Sequence, residues 1–257
     1  MADTPVGLWR TDDHQYRWND GPYVPGITTV MNQKDRSGPL IAWARKETAA
    51  KAVRDINQVL QIISESGPDA AIDYVKREPE RLRDKAATRG TGVHLALEKM
   101  AYGLPYEVTA EEQTYVDAFV RDILPLKPAF KAVEFMVYSE QHLYGGTGDA
   151  IVEIEGELWL LDYKTSKGIY ETTAMQLAAL AWADFIGYSG DPIPQPVPSP
   201  DRFGVIHIQP DGAKLVPYNV TRDDFDAFLA CRALYEWERS RKPLIKGPRV
   251  KARSSKG

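Results

Sequence analysis

Asp149, Asp162 and Lys164 are the residues whose types and spacing point most directly to chemistry. They lie in Gly148-Asp149-Ala150-Ile151-Val152-Glu153-Ile154-Glu155-Gly156-Glu157-Leu158-Trp159-Leu160-Leu161-Asp162-Tyr163-Lys164, two apolar runs separated by Glu155-Gly156. That separator between β-forming residues predicts a two-residue hairpin turn. Ile154 then faces Glu157 and, counting outward, Asp149 faces Asp162. Opposed residues on antiparallel strands hold their Cβ atoms roughly 4.5–5.5 Å apart, and the two-residue period puts Lys164 on the face of Asp162. Two carboxylates this close settle only when one takes a proton or a cation joins them. Hard divalent cations such as Mg2+ favour carboxylate oxygens, acidify bound water and polarise phosphoryl groups. The Lys164 ammonium would orient that water or meet the developing charge. The set is complete for metal-assisted phosphodiester hydrolysis. The plainer reading of Asp-x-Lys is a solvated strand end or a surface ion pair. Against it, Ile151, Val152, Ile154, Trp159, Leu160 and Leu161 make both strand faces apolar, as in a sheet covered on both sides, where carboxylates need a reason to be present.

Other residues can join this site. His94 precedes Glu98 by four positions, so the two share a helix face, either as packed residues or as ligands. Gly90 and Gly92 beside it allow a backbone or a phosphate to come near, and Arg89 would then meet phosphate or form an exposed salt bridge. Gln176 sits among the apolar residues of Met175–Trp182, and a buried amide needs partners: a nearby backbone group, or the sheet end that carries Asp162. Thr165, Ser166 and Lys167 follow the lysine, where they touch phosphate or cap the strand end. Glu134 reads as an exposed strand position with a carboxylate in reserve, and His14, His142 and His207 read as structural.

The elements that must position these groups follow from periodicity. A short hairpin turning at Asn19-Asp20-Gly21 is predicted near the start, then helices over 39–63, 68–76, 80–100 and 110–124. The last opens with Thr109 and Glu112 in a capping-box pattern. Strands are predicted over 132–138, 148–154 and 157–163, then a buried helix over 172–186, a proline-rich loop over 191–201, a hairpin of 203–208 with 214–218, and a helix over 221–239. Helices followed by β-β-β-α-β give an α/β domain with a mixed sheet. The expected division is an N-terminal hairpin and helical layer (1–87), a core (88–240) and a basic tail (241–257), the tail either solubilising or phosphate-contacting.

Composition narrows the class. With 257 residues and 43% hydrophobic content, one large core is affordable. No run approaches the roughly 18 apolar residues of a membrane span, and no basic-then-apolar stretch opens the sequence, so a cytoplasmic protein is expected. A single cysteine, Cys231, excludes an internal disulfide and a four-cysteine iron–sulphur cluster. A net charge of −4 argues against a large basic nucleic-acid face, yet leaves room for a local channel.

His94, Gly148-Asp149, Asp162-Tyr163-Lys164 and Gln176, in that order, resemble the PD-(D/E)XK nuclease superfamily in its RecB-like exonuclease branch, over about residues 88–210. The resemblance implies a restriction-endonuclease-like core with a central mixed sheet flanked by helices, preceded by the helical layer. It implies Mg2+ or Mn2+ held by His94, Asp149, Asp162 and the Tyr163 carbonyl, Lys164 working on the attacking water, and Gln176 near the substrate. Val24-Pro25-Gly26-Ile27-Thr28-Thr29-Val30, with Leu40 and Trp43, is similar to the N-terminal segment of mitochondrial genome maintenance exonucleases and their phage relatives. That likeness implies DNA as the partner, preferably single-stranded and degraded from its ends, and admits a phage-encoded protein in a bacterial host. Leu180 stands where the family often has tyrosine. No helicase motor is present, so unwinding would need a helicase or recombination partner. The competing expectations are an endonuclease of the same superfamily, a non-hydrolysing DNA-end-binding adaptor, and a structural α/β protein.

Overall fold

The computed structural model describes residues 7–34, 37–191 and 195–245. Strands β1 (Leu8–Arg10), β2 (Gln15–Trp18) and β3 (Val24–Pro25) form a small antiparallel sheet, followed by the one-turn helix α1 (Ile27–Met31). Four helices come next: α2 (Ser37–Arg54), α3 (Ile56–Ser66), α4 (Pro68–Lys76) and α5 (Glu78–Ala101). The single helix expected over 39–63 is thus two. The break falls at Asp55, whose carboxylate is held by Tyr74 from α4 at 2.6 Å and by Lys51 at 2.7 Å, a tertiary constraint that periodicity does not register. Gly90 does not interrupt α5, and the 87/88 division falls inside that helix.

Helix α6 (Ala110–Asp122) opens with the capping box read from the sequence: Glu112 accepts from the Thr109 N–H at 2.7 Å, and the Thr109 hydroxyl accepts from the Glu112 N–H at 3.3 Å. Then come β4 (Ala129–Ser139), β5 (Tyr144–Ile154), β6 (Glu157–Lys164), α7 (Thr172–Ala181), β7 (Phe185–Gly187), β8 (Gln195–Pro196), β9 (Arg202–Gln209), β10 (Gly212–Tyr218) and α8 (Arg222–Ile245). The helix expected to reach 186 stops at Ala181, because Phe185–Gly187 pairs with Met136–Tyr138 as a short strand. Likewise α8 continues past Arg239 into the expected tail, of which residues 246–257 lie outside the described residues.

The main sheet has the order β10-β9-β6-β5-β4-β7-β8. Only β6 and β9 run parallel, the crossover between them carrying α7, so the sheet is mixed and the fold α/β. The turn forms as expected: Ile154 pairs with Glu157, and Glu155 (φ 53°) and Gly156 (φ 80°) both take the left-handed backbone that a type I′ turn requires.

Helices cover both faces. On one, Leu177 and Leu180 of α7 with Phe225 and Phe228 of α8 pack on Phe135, Val137, Ile151 and Leu160. On the other, Val93 and Leu97 of α5 with Tyr115 and Phe119 of α6 pack on Ala150, Val152, Leu161 and Tyr163. Tyr16 and Val24 of the small sheet bury against Met136 and Tyr138 at one end. No described helix is long and apolar enough to cross a membrane.

Two strands break the two-residue alternation. In β5, Tyr144 and Ile151 share the α7 side although seven residues apart; in β4, Ala132 and Phe135 share it although three apart. An odd separation on one face requires the strand to reverse its sides in between. Glu134, with φ 48°, sits in the β4 interval, and Asp149 sits in the β5 interval.

Candidate metal and phosphate site

The reversal assembles the site. β4 and β5 pair Val133 with Ala150 and Phe135 with Gly148, so Glu134 and Asp149 stand across from each other between those pairs. Both turn toward α5, where His94 meets them. His94 Nδ1 lies 3.3 Å from Asp149 Oδ1 and 4.0 Å from Glu134 Oε1. One donor atom from each of the three falls within 4.8 Å of the others. The three side chains are 14–28% exposed, closed off from bulk water yet reachable from the cleft.

Glu134 therefore corrects the sequence reading. It is not an exposed strand position but a half-buried carboxylate held in a backbone conformation that non-glycine residues rarely adopt. Its signal was present: one acid inside Ala132-Val133-Glu134-Phe135-Met136-Val137-Tyr138, an otherwise apolar strand.

Asp149 also shapes the strand end. The ladder between β5 and β6 reaches Ala150 with Leu161; beyond it, Asp149 Oδ2 accepts the Tyr163 N–H at 2.5 Å. The carboxylate thus replaces the next backbone acceptor. The Tyr163 ring is buried, with edge contacts to His94 and Phe119 at 5.7 and 6.0 Å between centroids. Asp162 lies outside the three-donor group, and its carboxylate is paired with Lys164. Lys164 Nζ donates to Oδ1 at 2.9 Å and stands 2.7 Å from Oδ2, near enough for an ion pair but not aligned for a second hydrogen bond. Gln176 Oε1 accepts from the same ammonium at 3.4 Å, as expected of an amide aimed at this sheet end.

Charge and burial set the protonation. Burial pushes Glu134 up to about 7, reinforced by Asp149 and eased by His94. Burial alone would lower His94, but Asp149, Asp162 and Glu134 outweigh it and hold the imidazole up at about 9. Burial likewise lifts Asp162 to about 6 against the pull of Lys164. Asp149 goes the other way: burial would raise it, yet His94, Lys164 and the Tyr163 N–H keep it below its ordinary value. Lys164 is raised, its burial overcome by Asp162 and Asp149. An imidazole nitrogen and two carboxylates, partly closed off from bulk water, are a donor set that suits a hard divalent cation, while one buried Asp162 oxygen has no hydrogen-bond geometry to any described donor.

His94, Glu134, Asp149 and Lys164 line a cleft of about 830 Å3 between α5 and the sheet end, together with Arg10, Thr28, Thr147, Thr165 and Ser166. Arg10 and Thr147 escaped the sequence reading. Arg10 donates to the Thr147 hydroxyl at 3.3 Å, and the hydroxyls of Thr147 and Tyr16 lie 2.9 Å apart. This contact links the small sheet to the site, a juxtaposition that local sequence does not encode. Arg89 is elsewhere: it donates to Glu111 at 3.2 Å, stacks over Tyr115, and does not line the cleft. Thr165 and Ser166 do line it; Lys167 is exposed and does not.

No family model matches this chain, and no curated protein does. Among solved structures, one described as "Crystal structure of SSO0001" is 16% identical, with 83% of this chain and 90% of that chain covered. Its TM-score of 0.32 is too low to carry an argument about fold or activity.

Proposed function

We propose that this chain is a metal-dependent DNA exonuclease, hydrolysing phosphodiester bonds of single strands or frayed ends during replication, recombination or repair. The observation that carries the reading is the convergence of His94, Glu134 and Asp149 within 4.8 Å beside the Lys164–Gln176 pair. An imidazole and two carboxylates match a cation of the Mg2+ or Mn2+ class, which when bound neutralises phosphoryl charge and acidifies water. Asp162 holds Lys164 over the cleft, and Gln176 fixes the ammonium from the other side. The raised pKa keeps Lys164 charged, so it orients the attacking water and meets negative charge growing on the phosphoryl oxygens. Duplex substrates would be opened by a helicase or recombination partner.

The test uses linear single- and double-stranded DNA labelled at either end, and circular single-stranded DNA, each with Mg2+, Mn2+ or EDTA. Expected is metal-dependent release of nucleotides from linear single strands and no cutting of circles. Asp149→Asn and Lys164→Ala should each lower the rate about 100-fold or more, with the thermal transition retained. Cutting of circles would make the protein an endonuclease. Wild-type rates in either variant, or tight DNA binding with no metal-stimulated hydrolysis, would remove the exonuclease reading.

A further inference from the structure

A second cavity of about 250 Å3 adjoins the cleft, and Lys164, Ser166 and Thr28 line both. Its far walls are α1 with Asn32 on one side, and the 168–173 segment with the start of α7 on the other. We propose that this cavity receives one unpaired nucleobase next to the scissile phosphate, and so selects single-stranded ends. The inference rests on the nuclease reading and adds to it the part of the substrate that is recognised.

Three observations select a base over other ligands. The first is charge: among the described residues Lys164 is the only charged one that lines the cavity, and it is already engaged by Asp162, whereas Thr28, Asn32, Thr173 and Gln176 bring neutral hydroxyl and amide groups. Among the described residues, a second phosphate would find no free cation lining the cavity. The start of α7 does not replace them, because the Thr173 and Ala174 N–H groups already donate to the carbonyls of Tyr170 and Glu171. The second is a stacking surface. The backbone of Tyr170 is pinned by the Tyr218 hydroxyl at 3.2 Å, while its side chain stays open to solvent, the residue being 65% exposed. An exposed aromatic side chain on a pinned backbone is what unpaired bases stack on. The third is size: the volume is below the roughly 300–1,000 Å3 of drug-sized pockets, enough for one ring system and too little for a base pair. Lys34 of the α1 side and Glu171 of the α7 side are joined at 2.9 Å, which ties the two walls together. A base in this cavity has its pairing edge turned to protein amides and hydroxyls, so a paired nucleotide is excluded until its strand frays.

The experiment follows Mg2+-dependent hydrolysis of short single-stranded oligonucleotides by the full chain. Normal strands are compared with strands carrying an abasic residue at either nucleotide flanking the terminal linkage. One abasic position should raise KM about 10-fold, the size expected for losing one stacked base. Tyr170→Ala should raise KM for normal DNA by a similar factor and erase the difference between normal and abasic strands, with kcat little changed. Tyr170→Phe, which keeps the ring, should behave as the wild type. Equal KM for normal and abasic strands, or a Tyr170→Ala protein that still distinguishes them, would overturn this inference and leave the nuclease reading intact. Absence of hydrolysis on every strand would overturn both.

Discussion

Glu134 shows at the scale of one residue how a site is bought from the fold. Its left-handed backbone costs on the order of 1–2 kcal/mol for a non-glycine residue, and its carboxylate faces that of Asp149 across the strand pair. Glu134→Asn keeps a side chain that tolerates this backbone and removes the charge. Metal-free stability should therefore rise by about 1 kcal/mol, or a few degrees in Tm for a chain of this size. Mn2+ affinity should fall at least 10-fold, a loss of the size reported for weaker perturbations of metal sites. Calorimetry with and without Mn2+ reads both; an unchanged affinity would remove Glu134 from the ligand set. That Lys164 shares the face of Asp162, and that Gln176 is aimed at that sheet end, was legible from chain spacing, because each needs only the strand period or the following helix. The place of Glu134 was not: it depends on both strands reversing their faces, which is a property of tertiary packing on α7 and α5 and not of local pattern.

Elements hold that geometry through a few contacts between helices and strands. α5 carries His94 and passes α6 at Gly92, where a Cβ would come within 2.0 Å of Glu112 Oε1. Gly92→Ala gains about 1 kcal/mol of helix propensity. It displaces the buried Glu112 carboxylate from the Thr109 N–H and hydroxyl, its partners in the capping box, which costs about 1–3 kcal/mol. The loss outweighs the gain, so a lower Tm is expected, with a several-fold lower rate because His94 lies half a turn away. The capping box itself was readable from Thr109 and Glu112; that Gly92 makes room for it was visible only as a helical glycine wanting a neighbour. At the other end of α6, Asp122 accepts from Arg121 at 2.8 and 2.9 Å and from the Ala213 N–H of β10 at 2.8 Å. Arg121 and that N–H hold its carboxyl down at about 2. The folded state thus favours the ionised form more than the unfolded chain does. The contribution is complete above about pH 4 and is lost as pH falls through about 2. Urea midpoints of wild type and Asp122→Asn should differ at pH 5 and converge toward pH 2; a constant gap would mean the contact is not charge-dependent.

For the whole molecule, the mixed sheet between two helical layers was legible because each layer rests on long periodic helices and apolar strands. What escaped was the division of labour among the helices. α5, α6, α7 and α8 bury side chains on the sheet, whereas α2 and α3 bury none, and Leu40, Ile41, Val53, Ile56, Leu60 and Ile63 stay largely exposed. Hydrophobic periodicity reports an amphipathic face without saying whether anything covers it. The consequence lies in time rather than in shape. Local opening is cheapest where few apolar contacts must be undone. In deuterated buffer, the backbone amides of 37–66 should therefore exchange far earlier than those of β5 and β6, and a dilute protease should nick near Asp55 while the strands carrying Asp149 and Asp162 remain uncut.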